Sequence, residues 1–370
     1  MVCNRICVSN FRNIEKAEVV FSDGVNVLVG KNAQGKTNLL EAIFYMSIGK
    51  SFRALHDEEL IRFGAEMAEI SMDFTDSIRR QNLTVRMMSG KRRRIEQNRV
   101  KLNRVSDMVG QFRTVLFCPE HLSLIKEGPA ERRNFLDIAI SQLYPLYLKS
   151  LQRYHQLLKQ RNQLIRRANE DYKTFADTVE LWSLQLAEEA AIISQYRYRY
   201  LLSLNREMQE CFLQMKGEEE VPLSVYRSSS GLSGEECEDI EKTKETYVRL
   251  LTTKLDREVA AGSTLWGIHK DDVEILLNGK SARMFASQGQ QRSLALSMKL
   301  AEGEVCNQVC GEMPVFLFDD VFSELDEGRR AFLSEKLEGK QVIITSCDSE
   351  CVKNKDMIFV SQGSYSRTSG

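Results

Sequence analysis

Apolar and polar positions change their rhythm several times along this chain. Ile6 to Phe11 and Val19 to Phe21 are short β-type runs, and Ser22-Asp23-Gly24 is a turn. Val25-Asn26-Val27-Leu28-Val29 reads as a short buried strand, and Asn38 to Phe44 as the opening turns of a helix. Residues 65–105 alternate in patches, Ala68 to Phe74 and then Leu83 to Met87. This predicts antiparallel strands, with Ser89-Gly90-Lys91 as a hairpin turn. Residues 146–216 contain neither Gly nor Pro, a strong helical signal. Leu151, Tyr154, Leu158 and Ile165 recur at helical spacing, as do Trp182, Leu186, Ile193, Tyr196, Tyr200 and Leu204. Two long helices joined near Ala168-Asn169-Glu170-Asp171 are expected. In Tyr196-Arg197-Tyr198-Arg199-Tyr200 the tyrosines are expected to pack and the arginines to be solvated. Residues 217–245 read as a polar surface loop and Thr246 to Ala261 as a helix. From Thr264 the α/β character returns, and residues 363–370 read as a frayed tail.

Between the Val25 run and the Asn38 helix lies Gly30-Lys31-Asn32-Ala33-Gln34-Gly35-Lys36-Thr37, which fits G-x-x-x-x-G-K-[ST] without a mismatch. Strand before and helix after are the context this phosphate-cradling loop requires. Glycines let backbone N–H groups turn inward around phosphate oxygens, and the helix N-terminus adds its positive end. Residues 30–37 are therefore the ATP-binding candidates, with Lys36 on the β- and γ-phosphates and Thr37 on Mg²⁺. An acidic partner is expected at the end of a buried strand. Pro314-Val315-Phe316-Leu317-Phe318-Asp319-Asp320 supplies it: Asp319 for the Mg²⁺ shell, and Asp320 to polarise the attacking water, ahead of a helix starting near Glu324. Phe285 to Ser293 precedes a helix from Leu294 to Glu302 and offers small residues and amides at a helix start. Gln341 to Ser346 forms another buried strand ending in hydroxyls.

Totals change the picture little. No apolar run spans a bilayer, and Met1 to Ile6 opens no secretion signal, so a cytoplasmic protein without membrane attachment is expected. Nine cysteines fit that compartment as reduced thiols. The repeated three-residue gap in Cys3/Cys7, Cys306/Cys310 and Cys347/Cys351 invites zinc, but buried thiols are the better account, with Cys3 and Cys7 on one face of a strand. Net charge is −1, yet Arg86 to Arg104 carries eight basic residues against Glu96 alone. Arg92, Arg93, Arg94 and Lys101 are the DNA-binding candidates from that segment; the competing account is a solvated β-hairpin.

P-loop, Ser287-Gln288-Gly289-Gln290, Asp319-Asp320, Ser323-Glu324-Leu325-Asp326 and the Gln341 strand follow one another as in an ABC-type ATPase. The chain further resembles the RecF family of bacterial DNA replication and repair proteins over nearly its full length. The resemblance rests on Asn10 to Asn13, Gly30 to Ile43, Gly49 to Arg53, Gly128 to Asp137, Tyr154 to Asn162, Gly267 to Asp272, Ala286 to Glu302 and Asp319 to Asp326. It implies a cytoplasmic protein of gap repair and replication-fork maintenance, linked to the SOS response. Such a protein binds ATP with Mg²⁺, dimerises on ATP, and binds single-stranded, gapped or duplex DNA. It helps load recombinase with RecO- and RecR-like partners, and its ATPase is weak and stimulated by DNA. By the same resemblance Lys36 and Asp320 are catalytic, Thr37 and Asp319 hold the metal, and Ser287, Gly289 and Gln290 form the signature loop that meets the γ-phosphate of a second subunit.

Lys31, Ile268 and Lys270 depart from the commoner family residues, and Thr345-Ser346-Cys347 lacks the His of transporter ATPases, which points to slow hydrolysis. Phe117-Cys118-Pro119-Glu120 is the Q-loop candidate. The alternatives are the nucleotide-binding subunit of a membrane transporter and an SMC-like structural chromosome protein. Lys36 and Ser287 are 251 residues apart, too far for the first, and the helical insertion is too short for the coiled coil of the second. The expected fold is α/β: an ABC-type P-loop ATPase lobe from both chain ends (residues 1–120 and 262–362), an inserted mainly helical lobe (121–261) and a flexible tail (363–370).

Overall fold

The computed structural model describes residues 1–168, 170, 172–216, 220–322, 325–347 and 356–367. The chain divides into two compact units, Met1–Ser123 with Ala295–Gly370, and Leu124–Leu294.

Two six-stranded sheets form the described core of the first unit. One is antiparallel, in the order Ile14–Val20, Val2–Phe11, Met67–Thr75, Arg80–Met88, Arg94–Gln97, Val100–Leu102. Ala68, Ile70, Met72 and Phe74 alternate into its buried face, the period expected of a half-buried strand. The other runs Ser364–Arg367, Asp356–Ser361, Val25–Val29, Val342–Ser346, Val315–Asp319, Thr114–Phe117; its inner strands are parallel. Val315–Asp319 and Val342–Ser346 are buried at every position, because the middle of a parallel sheet is covered on both faces. The Lys36–Ile48 helix is buried almost all round and packs on both sheets.

A bulge corrects the reading of the first strand. Cys3 pairs with Phe74 and Arg5 with Asp73, so Asn4 is the extra residue. The bulge puts Cys3 on the buried face with Ile6 and Val8, while Cys7 is half-exposed. The two thiols therefore do not share a face. Among the described residues no cluster of His, Cys, Asp and Glu could hold a metal ion by itself, and Cys351 of the third pair lies outside them.

The second unit holds the Pro145–Arg167 and Tyr172–Lys216 helices where the breaker-free stretch predicts them. Asn169 and Asp171 of the expected connection lie outside the described residues. Residues 217–245 are not a loop throughout. Pro222–Arg227 is a strand paired with Asp272–Leu277, and the helix expected from Thr246 is two helices, Ile240–Thr253 and Leu255–Ala261. The first begins early because the Asp239 carboxylate accepts from the Lys242 N–H as an N-cap. That strand pairing keeps residues 262–294 in this unit, so its boundary falls near Leu294 and not at 262. The unit is accordingly helical with a three-stranded sheet. The expected tail also has structure: Ser364–Arg367 pairs antiparallel with Asp356–Ser361, and only 368–370 lie outside the described residues.

Two fully buried arginines organise the second unit. Arg161 donates to Glu258 Oε2 at 2.6 Å, to Ser183 Oγ at 3.0 Å, to Thr264 Oγ1 at 2.9 Å and to the Leu251 carbonyl at 2.9 Å. One guanidinium thus ties four helices and the segment after them. Arg197 donates to Asp137 at 2.8 Å and to the Ile268 carbonyl at 2.9 Å, with Tyr147 Oη at 3.2 Å. Arg197 is therefore not solvated as its Tyr-Arg alternation suggests, whereas Arg199 is exposed beside Glu238.

Removing Arg161 leaves the Glu258 carboxylate charged and buried. Arg161→Met should lower the stability of this unit by about 3–5 kcal/mol, and Arg161→Met with Glu258→Leu should recover much of that loss. Denaturant unfolding followed by tryptophan fluorescence reads this unit alone, because Trp182 and Trp266 are the only tryptophans. Equal losses in the single and double variants would show that the buried charge is not the cause.

Candidate nucleotide-binding site

The Gly30–Thr37 loop joins the Val25–Val29 strand to the Lys36–Ile48 helix. Ala33 has φ 63° and Gly35 φ 112°. Such left-handed residues turn successive N–H groups to one side, the geometry of an anion-binding nest. Gly30 lies so close to the next strand that a Cβ there would sit 2.3 Å from the Val360 carbonyl oxygen. Lys36 Nζ donates to the Gly30 carbonyl and, at 3.0 Å, to the Lys31 carbonyl, so its ammonium is held at the loop itself.

Thr37 Oγ1 donates to Asp319 Oδ1 at 2.8 Å. Thr345 Oγ1 donates to the same oxygen at 2.8 Å and accepts the Asp320 N–H at 2.8 Å. Three parallel strands therefore deliver one hydroxyl–carboxylate–hydroxyl cluster to one edge of the sheet. Burial pushes the Asp319 pKa up; the bonds from Thr37 and Thr345 and the charge of Arg53 oppose that rise. Asp320 leaves the strand with φ 53°, a conformation Asp tolerates better than most residues. Two hard oxygens, Thr37 Oγ1 and Asp319 Oδ1, meet beside a phosphate-type nest, a donor set that suits Mg²⁺.

The loop has supports that motif reading did not assign. Tyr365 Oη donates to the Gly35 carbonyl at 2.9 Å, and the Gly363 N–H to the Gln34 carbonyl at 2.8 Å. Gln362 N–H donates to Gln34 Oε1 at 2.7 Å, and Asn38 Nδ2 to Asn13 Oδ1 at 2.7 Å. Nothing in a tail of Ser, Gly and Tyr announces this role before the strand pairing is known. Arg12 forks onto the buried Glu41 at 2.8 and 2.9 Å, fixing the helix behind the loop.

Ser287 sits in the other unit. It is the N-cap of the Gln288–Cys310 helix: its Oγ accepts the Gln290 N–H at 3.2 Å, and Gln290 Oε1 accepts the Ser287 N–H at 2.7 Å. Gly289 and Gln290 are thus first-turn residues of a helix expected only from Leu294, and not members of a loop. The helix after Asp320 begins at Glu327, capped by Asp326, which accepts the Arg329 N–H at 2.9 Å. Ser323 and Glu324 lie outside the described residues. Phe117 pairs beside Phe318, so the Cys118-Pro119-Glu120 segment leaves the sheet at the edge where Asp319 lies.

Of the basic segment, Arg86 pairs with Glu69 and Glu96. Arg93 donates to Tyr45 Oη at 2.6 Å and to the Gly49 carbonyl, and pairs with Asp57 at 3.0 Å. The fold uses Arg93 itself, which leaves Arg92, Arg94 and Lys101 as the exposed candidates.

Residues 2–366 match the RecF/RecN/SMC N-terminal domain. A DNA replication and repair protein RecF from Bacillus cereus is 38% identical over 98% of each chain. One from Ruminiclostridium cellulolyticum is 37% identical over 95% of this chain and 94% of the relative. The chain belongs to the RecF family. Its fold is the ABC-type ATPase fold of that family. A solved recombination mediator protein RecF-ATPrS of the RecFOR pathway has TM-score 0.94 at 34% identity, covering 100% of this chain and 98% of that one. An Smc head domain from Pyrococcus furiosus, at TM-score 0.55 and 18% identity, over 98% and 94% of the two chains, shares the fold. Among the described residues no helix is long and apolar enough to cross a membrane.

A carboxylate whose folded pKa is raised favours the folded state most below the unfolded carboxylate range, and that contribution is lost as pH rises through the folded pKa. Asn at 319 does not titrate, and its Oδ1 can still accept from both threonines. Asp319→Asn without nucleotide should therefore be more stable than wild type at neutral pH, with the advantage shrinking in acid. Unfolding midpoints against pH for the two proteins test this; parallel curves would mean that Asp319 is not desolvated.

Proposed function

We propose that this chain is an ATP-dependent DNA replication and repair protein of the RecF type, an ABC ATPase that acts at single-stranded gaps. The observation that carries the ATPase reading is the bond between Thr37 and Asp319, which joins phosphate loop and acidic strand across 282 residues of sequence. Relatives named for DNA replication and repair, and a neighbour solved as RecF-ATP in the RecFOR pathway at 34% identity, support the cellular role. On this reading the partners are DNA and RecO- and RecR-like proteins, the setting is the cytoplasm, and the role includes recombinase loading at gaps and a link to the SOS response.

Residues 30–37 hold the triphosphate of ATP. Thr37 and Asp319 would hold Mg²⁺, which would supply positive charge to offset that of the phosphates. Lys36 brings the loop's side-chain cation to the phosphates. Asp320 accepts a proton from the attacking water. Cys347 follows the Val342–Ser346 strand, where transporter ATPases carry His. Its Sγ donates to Asn32 Oδ1 at 2.8 Å and lies 3.5 Å from Lys36 Nζ. A thiol so placed is a poor substitute for imidazole, in keeping with slow turnover raised by DNA. Arg92, Arg94 and Lys101 remain candidate phosphate contacts.

Lys36→Ala should reduce ATP binding by at least about a hundredfold while leaving the fold intact, since the cation held over the loop by the Gly30 and Lys31 carbonyls is lost. Equilibrium binding of a fluorescent ATP analogue measures it. Unchanged affinity would overturn the site.

Dimerisation on ATP follows from what one chain lacks. Its own loop covers one side of the triphosphate, and Ser287, with a hydroxyl and a helix N-terminus, can meet the other side of a partner's nucleotide. Met284 and Phe285 just before it are 76% and 68% exposed, apolar surface suited to an interface. Ser287→Arg should leave ATP binding by the single chain unchanged and abolish ATP-induced dimers in sedimentation. A mutant that dimerises like wild type, or a wild type monomeric at saturating ATP, would overturn the sandwich.

A further inference from the structure

About one residue in seven of this chain is acidic, 52 of 370, yet the 23-residue Pro145–Arg167 helix contains no Asp or Glu. Its buried side is accounted for: Tyr147, Ser150, Leu151, Tyr154, Leu157, Arg161 and Ile165 face the unit's interior. On the outer side Lys149, Gln152, Gln156, Lys159, Gln163 and Arg166 follow one another at alternating spacings of three and four, and every one is exposed. That spacing draws one line along a helix. At about 1.5 Å per residue the line is about 25 Å long.

The line carries only cationic and amide side chains, each with N–H groups to donate. Among the described residues, Lys149, Lys159 and Arg166 have no ion-pair or hydrogen-bond partner. This differs from Arg153 on the same helix, which pairs with Glu189 at 3.2 Å, and from Arg161, which is spent inside. A shallow open depression of about 320 Å³ runs along the lower part of the line, between His155, Leu158, Lys159, Asn162, Gln163 and Arg166. Arg166 also sits where a helix C-terminus favours a cation; Lys149 and Lys159 do not, so the dipole does not account for the pattern.

We propose that this helix face is a phosphate-backbone contact for nucleic acid, separate from the Arg92–Lys101 segment. The argument is charge complementarity. A phosphodiester strand presents a row of acceptors of one sign, and lysine, arginine and glutamine side chains are the groups that meet it without reading sequence. A carboxylate on this helix would repel it, and the helix has none; Glu189 of the next helix is buried and pairs with Arg153. A length of about 25 Å corresponds to about seven base pairs at about 3.4 Å each, enough for three cations to reach separate phosphates. The inference rests on the DNA-repair reading and adds a location to it.

The test is a triple variant, Lys149→Gln, Lys159→Gln and Arg166→Gln, in the full chain with ATP. Affinity for a 30-base-pair duplex and a single-stranded 30-mer of unrelated sequences is measured from 50 to 300 mM salt. Log affinity against log salt should be shallower by about 2–3 units on duplex and by about 2 on single strand, with binding at least about tenfold weaker at 0.1 M salt on every sequence. ATP binding should be unchanged. If wild type binds and the variant shows the same affinity and slope, the face is not a DNA contact. A variant that binds DNA normally but loses an acidic protein ligand overturns the proposal in the same way. If wild type itself binds no DNA, the functional reading fails first. Lys159→Glu, a single exposed change, repeats the measurement should the triple variant be unstable, and it should weaken binding more than Lys159→Gln.

Discussion

One carboxylate oxygen holds the candidate nucleotide site together. Asp319 Oδ1 accepts from Thr37 on one side and Thr345 on the other, each at 2.8 Å. A buried carboxylate must be met by donors or it takes up a proton, and two hydroxyls are what the neighbouring elements supply. The condition reaches back into the fold. Thr345 must lie opposite Asp319 on a parallel strand, and Thr37 must sit in the first turn of the helix leaving the next strand. Those requirements set the order Val25–Val29, Val342–Ser346, Val315–Asp319 and the register Asp319 opposite Thr345. A slip of one residue would turn the threonine away and leave the carboxylate unpaired.

The second unit solves a different problem by the same means. Long helices with apolar stripes can slide by a turn at small cost, because leucine contacts are interchangeable. Arg161 cannot slide. Its donors reach a serine, a threonine, a backbone carbonyl and a buried glutamate that belong to separate segments, and a shift of one turn would lose most of them. Arg197 does the same for Asp137 and the Ile268 carbonyl. The cost is a desolvated charge at each node, so the stability gained over an apolar core is small. A defined register is what the arrangement supplies.

What was legible in the sequence follows from how local each signal is. The phosphate loop was legible because its residues are contiguous and its strand and helix adjoin it. Asp319 was legible because four apolar residues and an acid at a strand end form one short pattern. Pro222–Arg227 was missed because its buried face is Pro222, Ser224 and Tyr226, so a polar serine breaks the alternation inside an acidic stretch. Arg197 was missed because the Tyr-Arg alternation gives no sign of Asp137, 60 residues away. Tyr365, Gln362 and Asn13 were missed because they support the loop through pairings across more than 300 residues or through a strand turn. Cys3 and Cys7 were misplaced by a single bulge that no periodicity shows. The local halves of the site are thus written in the chain, and the contacts that hold them are not.

On the proposed reading the same geometry ties slow chemistry to assembly. The loop, Thr37 and Asp319 belong to one unit, and the cap at Ser287 belongs to the other. If the nucleotide bridges the loop of one chain to the cap of a second, ATP stabilises the dimer by mass action, and the dimer in turn raises the apparent affinity for ATP by the same factor. The lifetime of that state is then limited by hydrolysis. On that reading Asp320 would polarise the water, and Cys347 in place of an imidazole would give it little help. A slow ATPase is a timer in such an arrangement: the bridge persists until the γ-phosphate is lost. DNA that makes more phosphate contacts with two chains than with one favours the bridged state further, because each added contact releases counterions. ATP and DNA would therefore support each other's binding through the dimer, with no need for a contact between the two ligands.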